Sequence, residues 1–222
     1  MWAAVEAQLG GADAVTVHLR EDRRHIQDRD VERLPGVVQI RFNLEMAATA
    51  EMVAIALSTA PAMVTLVPEG RHEITTEGGL DVATRRTQLT ELVRELRGAG
   101  VRTSAFIDAE PGQVEAAAAC GFDVCEIHTG PYANSFHTHG RADGHPQVRA
   151  EIERVGAAGR LTMEAGMQFN AGHALTYYNV QPIAALPGVS ELHIGHSIVA
   201  RAVFTGLRQA VADMKTLMRE VA

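Results

Sequence analysis

Seven short apolar segments alternate with helical ones along this chain, and each closes on a histidine, glutamate or aspartate. DAVTVH ends on His18, VVQIRFNLEM carries Asn43 and Glu45 at its end, AMVTLVPE ends on Glu69, and VRTSAFIDA brings Asp108. FDVCEIHTG brings Glu126 and His128, MQFNAGH ends on His173, and SELHIGH ends on His196. The intervening stretches, among them TAEMVAIALSTA, ATRRTQLTELVRELRGAG and VRAEIERVGAAG, repeat their apolar residues at helical period. Strands alternating with helices predict a parallel sheet. Polar groups at the carboxyl end of every strand favour a barrel whose site opens there, since a doubly wound sheet gathers its ligands at one switch point.

The expected architecture is α/β, a TIM (β/α)8-type barrel forming a single domain over 1–222 with the first β-strand absent from this chain. A barrel of eight opens on a strand, whereas this chain opens on a helical stretch with Trp2, Val5 and Leu9 on one face. Pro35-Gly36 reads as the turn into the second strand. The stretch PYANSFHTHGRADGHPQ, with its glycines, prolines and three histidines, reads as a mobile loop. SIVARAVFTGLRQAVADMKTLM reads as one closing helix.

Composition narrows the function classes. With 46% hydrophobic and 21% charged residues the chain has the make-up of an ordinary globular protein, and no apolar run approaches the ~20 residues of a membrane span. A net charge of -7 argues against nucleic acid as a partner, because phosphate neutralisation needs a basic face. The amino terminus has no basic n-region ahead of an apolar run, so a cytoplasmic location is expected. Cys120 and Cys125 read as two buried thiols.

The strand-to-helix junction DAVTVHLREDRRHI concentrates anion-binding and proton-moving groups. His18 stands on the last inward position of an apolar strand, where an imidazole needs a partner or a task. Arg20 and His25 lie beside it, and Arg23 and Arg24 read equally well as solvated loop charges. Glu45, if it points into a barrel, gains a raised pKa suited to a general base; a salt bridge to Arg41 or to a loop arginine is the alternative. Gly172 leaves room for a ligand beside His173, which reads either as a general acid or as a core histidine bonded to a carbonyl. HIGHSI joins a glycine, a histidine and a helix start, a natural phosphate cradle. His137, His139 and His145 suggest a metal, but a glycine-rich loop lacks the scaffold a zinc site needs. There is no P-loop, no G-x-G-x-x-G after a strand and no G-x-S-x-G. Lys215, the only lysine, lies in the last helix, away from the strand ends where a Schiff base would form.

TVHLREDRRHIQDRDV, NLEMA, TLVPE, TTEGGLDV, FIDA, EIHTG, NAGH with LTY, and IGHSI followed by ARAVFTGL together resemble the PdxJ family of pyridoxine 5'-phosphate synthases. The resemblance covers the whole chain in order. It implies a TIM barrel that condenses 1-deoxy-D-xylulose 5-phosphate with 3-amino-2-oxopropyl phosphate, a homo-octameric assembly and no metal or other cofactor. By motif, His18 and Glu45 correspond to proton acceptors and His173 to the proton donor. Arg20, His25 and Thr75 correspond to ligands of the deoxyxylulose phosphate, and Ala174, Gly195 and His196 to those of the aminoketone phosphate. Glu126 corresponds to a carboxylate that stabilises a transition state.

Three departures from the family pattern stand out. The family's opening strand, with its N-x-D-H motif and following arginine, has no counterpart here, which implies either a native chain longer than this one or a catalytically silent barrel that still binds phosphate ligands. Ala174 stands where the family has glycine. The loop from Ser135 to His145 is histidine-rich where the family is acidic.

Overall fold

A computed structural model describes residues 1–69 and 78–221. Seven parallel strands follow one another in a single curved sheet: β1 (Ala14–His18), β2 (Arg41–Met46), β3 (Met63–Leu66), β4 (Arg102–Ile107), β5 (Val124–His128), β6 (Gln168–Gly172) and β7 (Glu191–His193). Each pairs with the next in sequence, and among the described residues no ladder joins β7 back to β1. This is the expected barrel, nearly closed and one strand short. The gap explains the burial pattern. β3 and β5 are buried throughout, whereas every residue of β1 and β7 keeps partial solvent contact.

Along each strand the residues alternate between two unlike environments. Phe42, Leu44 and Met46 of β2, Val64 and Leu66 of β3, Ala105 and Ile107 of β4, Cys125 and Ile127 of β5 and Phe169 and Ala171 of β6 join the apolar core between sheet and helices. The alternate positions face the lumen, and apart from Met63, Phe106 and Val124 those on β2 to β7 are polar or glycine. Arg102 donates to Gln168 (3.1 Å), Gln168 donates to Asn170 (2.8 Å) and Glu191 (2.9 Å), and Arg41 donates to Glu191 (2.5 Å). One step up, Asn43 lies between Thr16 and Thr65 (3.3 and 3.2 Å). Both free thiols are buried.

Helices α1 (Trp2–Leu9), α2 (Asp28–Val37), α3 (Ala50–Thr59), α4 (Arg86–Gly98), α5 (Pro111–Cys120), α6 (Gly130–Thr138), α7 (Pro146–Glu164), α8 (Val180–Ala184), α9 (His196–Thr205) and α10 (Leu207–Arg219) complete the chain. Thr49 caps α3 by accepting from the Met52 N–H (3.4 Å), and Ala60, left-handed at φ 45°, ends it before Pro61. In α4 the buried residues Leu89, Leu92, Val93 and Leu96 repeat at i, i+3, i+4 and i+7.

Several sequence expectations need correction. The stretch after β5 is helical over Gly130–Thr138, not a mobile loop, because Pro131 falls in the first turn and Tyr132 and Phe136, one turn apart, are both buried. Pro35-Gly36 does not turn the chain; α2 runs on to Val37 with Pro35 inside it, and β2 begins at Arg41. The closing helix is two helices, broken at Gly206, whose φ of 79° and ψ of 153° only glycine adopts without strain. Of α1 only Ala4 is buried; Trp2 and Leu9 are exposed. No helix among the described residues is long and apolar enough to cross a membrane.

Gly159 of α7 tests the packing of helix on sheet. A Cβ there would stand 2.4 Å from the ring of Phe169, which is buried in the sheet. Gly159→Ala is expected to destabilise the fold by about 1–3 kcal/mol, whereas Gly36→Ala, in open space on α2, leaves stability within about 1 kcal/mol of the parent or raises it. Urea denaturation of the two variants checks the contrast.

Candidate active site

The ladder brings strand-end groups from non-adjacent parts of the chain together at one rim. His18 and Glu45 are register partners on β1 and β2, and His128, Gly172 and His193 lie level on β5, β6 and β7. Inside that rim Glu45, Glu126 and His193 present one ligand atom each, all within 4.8 Å of one another. Arg41 is committed to Glu191 (2.5 Å), not to Glu45. The Glu45 carboxyl is pushed up to about 7, chiefly by burial and further by the neighbouring Glu126 charge, against a lowering by His193. It is ionised or protonated by small changes near neutral pH, as a general base must be.

His193 contacts Glu126 Oε2 at 2.7 Å through Nδ1 and Glu191 Oε2 at 3.6 Å through Nε2. Burial disfavours its charge, but Glu126, Glu191 and Glu45 together outweigh that and lift it to about 10. The trio is the one set of described donors spaced to hold a metal ion, and holding one would require the imidazole to give up the proton that the surrounding carboxylates stabilise.

On β1, His18 Nε2 lies 3.0 Å from Glu69 Oε1, and the buried Arg20 approaches the same oxygen at 3.9 Å. Burial first, then the charges of Arg20 and His25, hold His18 down to about 4, so its imidazole is neutral at physiological pH and can accept a proton. His25 is exposed at the mouth beside it. Arg23 pairs with Asp28 (3.1 Å) and Glu51 (2.5 Å), and Arg24 with Asp22 (2.5 Å), so both serve the loop's own structure. Thr75 lies outside the described residues. Lys215 pairs with Asp13, ahead of β1 and therefore at the barrel end opposite the mouth.

His173 and Ala174 follow β6 with φ of 79° and 58°, two successive left-handed residues that are not glycine. Such strain persists only where the surroundings over-determine it. The Thr129 hydroxyl donates to the Gly172 and His173 carbonyls (2.7 and 2.5 Å), and Asn179 donates to the Ala174 carbonyl (3.3 Å). The turn sets the His173 ring edge-on to His128, with centroids 5.0 Å apart. Burial, His128 and His196 lower the proton affinity of His173. Gly195 and His196 stand exposed at the start of α9, whose first N–H groups point from the helix end.

Two groups at the rim carry more than their sequence positions suggest. Asp108 Oδ1 accepts from His128 Nδ1 (2.9 Å), which keeps the Asp108 carboxyl below the usual range and fixes the His128 ring. His193 escapes notice because SELHIGH reads as ending on His196; the ladder ends at His193, and the alternation Glu191, His193 is the signal for its inward face. His139 and His145 stack face to face, centroids 3.9 Å apart, in the turn before α7.

The model of the pyridoxal phosphate biosynthesis protein PdxJ family matches residues 1–220. The chain belongs to this family. Pyridoxine 5'-phosphate synthase of Azoarcus sp. (strain BH72) is 64% identical over 221 residues, covering 100% of this chain and 89% of the relative. The synthase of Dechloromonas aromatica (strain RCB) is 62% identical (100% and 88%), and that of Gloeothece citriformis (strain PCC 7424) 52% (98% and 88%). Membership of the PdxJ family makes this chain an enzyme of the transferase type. Among solved structures, KGPDC from Streptococcus mutans superposes with a TM-score of 0.65 at 10% identity (100% of this chain, 93% of that one). Thiamine phosphate pyrophosphorylase from Pyrococcus furiosus gives 0.60 at 15% (99% and 89%). These two likenesses establish the barrel alone.

Two outcomes follow from the site's strain and charge. Ala174→Gly relieves a left-handed alanine and is expected to stabilise the protein by about 0.5–1 kcal/mol in a thermal melt. Glu45 has a higher proton affinity folded than unfolded, so its ionisation costs stability progressively as pH rises from the ordinary carboxylate range through about 7. Glu45→Gln is therefore expected to gain about 1–3 kcal/mol over the parent at pH 8 and little at pH 4.5, read as the difference in Tm between the two pH values.

Proposed function

We propose that this PdxJ-family chain is a pyridoxine 5'-phosphate synthase that condenses 1-deoxy-D-xylulose 5-phosphate with 3-amino-2-oxopropyl phosphate, releasing inorganic phosphate and water as the pyridine ring closes. The observation that carries the reading is Glu45, a lumen carboxylate poised near neutral pH beside a second carboxylate. Imine formation, enolisation, phosphate loss and aromatisation each move protons between fixed positions, and a base that titrates near the working pH serves them best. In this scheme Glu45 and the neutral His18 accept protons, and Glu126 opposes positive charge as it develops on the imine nitrogen. His173 is the donor. Its proton affinity, lowered by burial and by His128 and His196, rises once anionic substrate stands between it and His196, because an opposite charge favours the imidazolium.

The two phosphates take opposite sides of the mouth. Arg20 and His25, with Thr75, hold the deoxyxylulose phosphate; the backbone at Ala174 and the start of α9 at Gly195 and His196 hold the aminoketone phosphate. The barrel works in the cytoplasm as a homo-oligomer, an octamer by family pattern, with no metal or organic cofactor. Among the described residues no strand pairs the outer edges of β1 and β7, which favours a second reading, a barrel that binds phosphate ligands without turning them over.

Phosphate release by the purified chain given both substrates, with pyridoxine 5'-phosphate identified by mass, separates the two. The synthase reading expects product, a kcat that rises with pH through about 7 as Glu45 ionises, and a loss of about 10²–10⁴-fold in Glu45→Gln with substrate binding retained. Substrate binding without product supports the silent barrel, and Glu45→Gln turnover within tenfold of the parent removes Glu45 from its role.

A further inference from the structure

Among the buried ionisable groups of the lumen, His193 is left without a task by the proton transfers above. Its side chain is only 9% exposed and stands in a row of charges: Arg41 on Glu191 at 2.5 Å, Glu191 to His193 Nε2 at 3.6 Å, His193 Nδ1 to Glu126 at 2.7 Å, with Glu45 inside the same 4.8 Å cluster. Gln168 holds Glu191 from the side (2.9 Å), which anchors the row to the polar floor. On the far side of Glu45, His18 is the register partner, held neutral next to Arg20.

Counting charges shows what the imidazole decides. Were it neutral, Glu45, Glu126 and Glu191 would have Arg41 as the one cation in an ion pair with any of them among the described residues, since Arg102 reaches only Gln168, and two carboxylates as close as Glu45 and Glu126 disfavour each other's charge in a partly buried site. Glu45 would then face the Glu126 charge with no cation between them and would keep its proton to higher pH. As an imidazolium, His193 balances Glu126 while Arg41 balances Glu191, and its charge also draws Glu45 down against the pull of burial and of Glu126. The backbone supports the same arrangement. A Cβ on Gly172 would stand 2.2 Å from Glu126 Oε1 and 3.2 Å from His193 Cβ, so the glycine of β6 makes room for the pair.

We propose that His193 is a positioning residue for the reaction, a buried imidazolium that fixes the Glu126 carboxylate and leaves Glu45 as the one lumen carboxylate free to take up and release a proton. The proposal rests on the reading of Glu45 as the base.

His193→Asn keeps a polar side chain of similar reach and removes the charge. The expected result is a kcat at least about tenfold lower, with KM for both substrates within about threefold and the acidic limb of the kcat–pH profile moved up by about one unit as Glu45 loses its counter-charge. A fall in kcat with the acidic limb unmoved would mean a merely structural role and would overturn the proposal, as would an unchanged enzyme. A second measurement needs neither turnover nor a variant that folds. The ¹⁵N shifts of the His193 ring in the parent chain at pH 8 are expected to show both nitrogens protonated, and a neutral tautomer there overturns the proposal. Should the parent form no product, the function reading fails while the ring's protonation state still decides the charge of the row.

Discussion

The structure turns on the burial of three carboxylates inside a barrel whose lumen is polar. A barrel of this kind more often fills its interior with branched apolar side chains; here Arg41, Asn43, Glu45, Thr65, Glu126, Gln168, Asn170, Glu191 and His193 occupy lumen positions on five strands. Buried charge is tolerated only where it is paired and bonded. Arg41 and Gln168 discharge that requirement for Glu191, and His193 does so for Glu126. Glu45 is the carboxylate for which the arrangement provides no full partner, and burial raises its proton affinity accordingly. The carboxyl with the raised proton affinity is thus the one that the lumen leaves without a counter-ion of its own.

The remaining features serve the same rim. The helices bury an apolar layer against the outer face of the sheet, so the lumen need not supply the core. That frees inward positions for polar groups, and it frees the turn after β6 to hold two left-handed residues pinned by Thr129 and Asn179. The Asp108–His128 pair and the ring contact to His173 fix that side of the mouth, while Glu69 and Arg20 fix the His18 side. Charged loop residues such as Arg23 and Arg24 spend their charge on Asp28, Glu51 and Asp22 and hold the β1–α2 connection in shape.

The strand rhythm was legible because outward positions such as Val64, Leu66, Cys125 and Ile127 are strongly apolar and bounded by turn residues. His18, Glu45, Glu126 and His173 were legible for the related reason that polar groups at strand ends stand out against an apolar run. The lumen floor was not, because Arg41, Gln168 and Glu191 alternate with apolar neighbours just as solvent-facing residues of an ordinary sheet do. Only the curvature that brings β2 across to β7 reveals them as partners. His193 was hidden by a boundary three residues off, and α6 by glycines and prolines that in fact flank a buried Tyr132 and Phe136. Boundaries, not element types, account for most of the differences.

The proton affinity of one carboxyl group, that of Glu45, is the property from which the chemistry of this lumen follows. A ¹³C carboxyl titration of the chain, with Glu45 assigned by comparison with Glu45→Gln, measures it directly. The expected midpoint is near 7, with Glu45 still protonated at pH 5.5. A midpoint in the ordinary carboxylate range below 5 would contradict it, because the lumen would then be solvating Glu45 like any surface acid and would not be preparing it as a base.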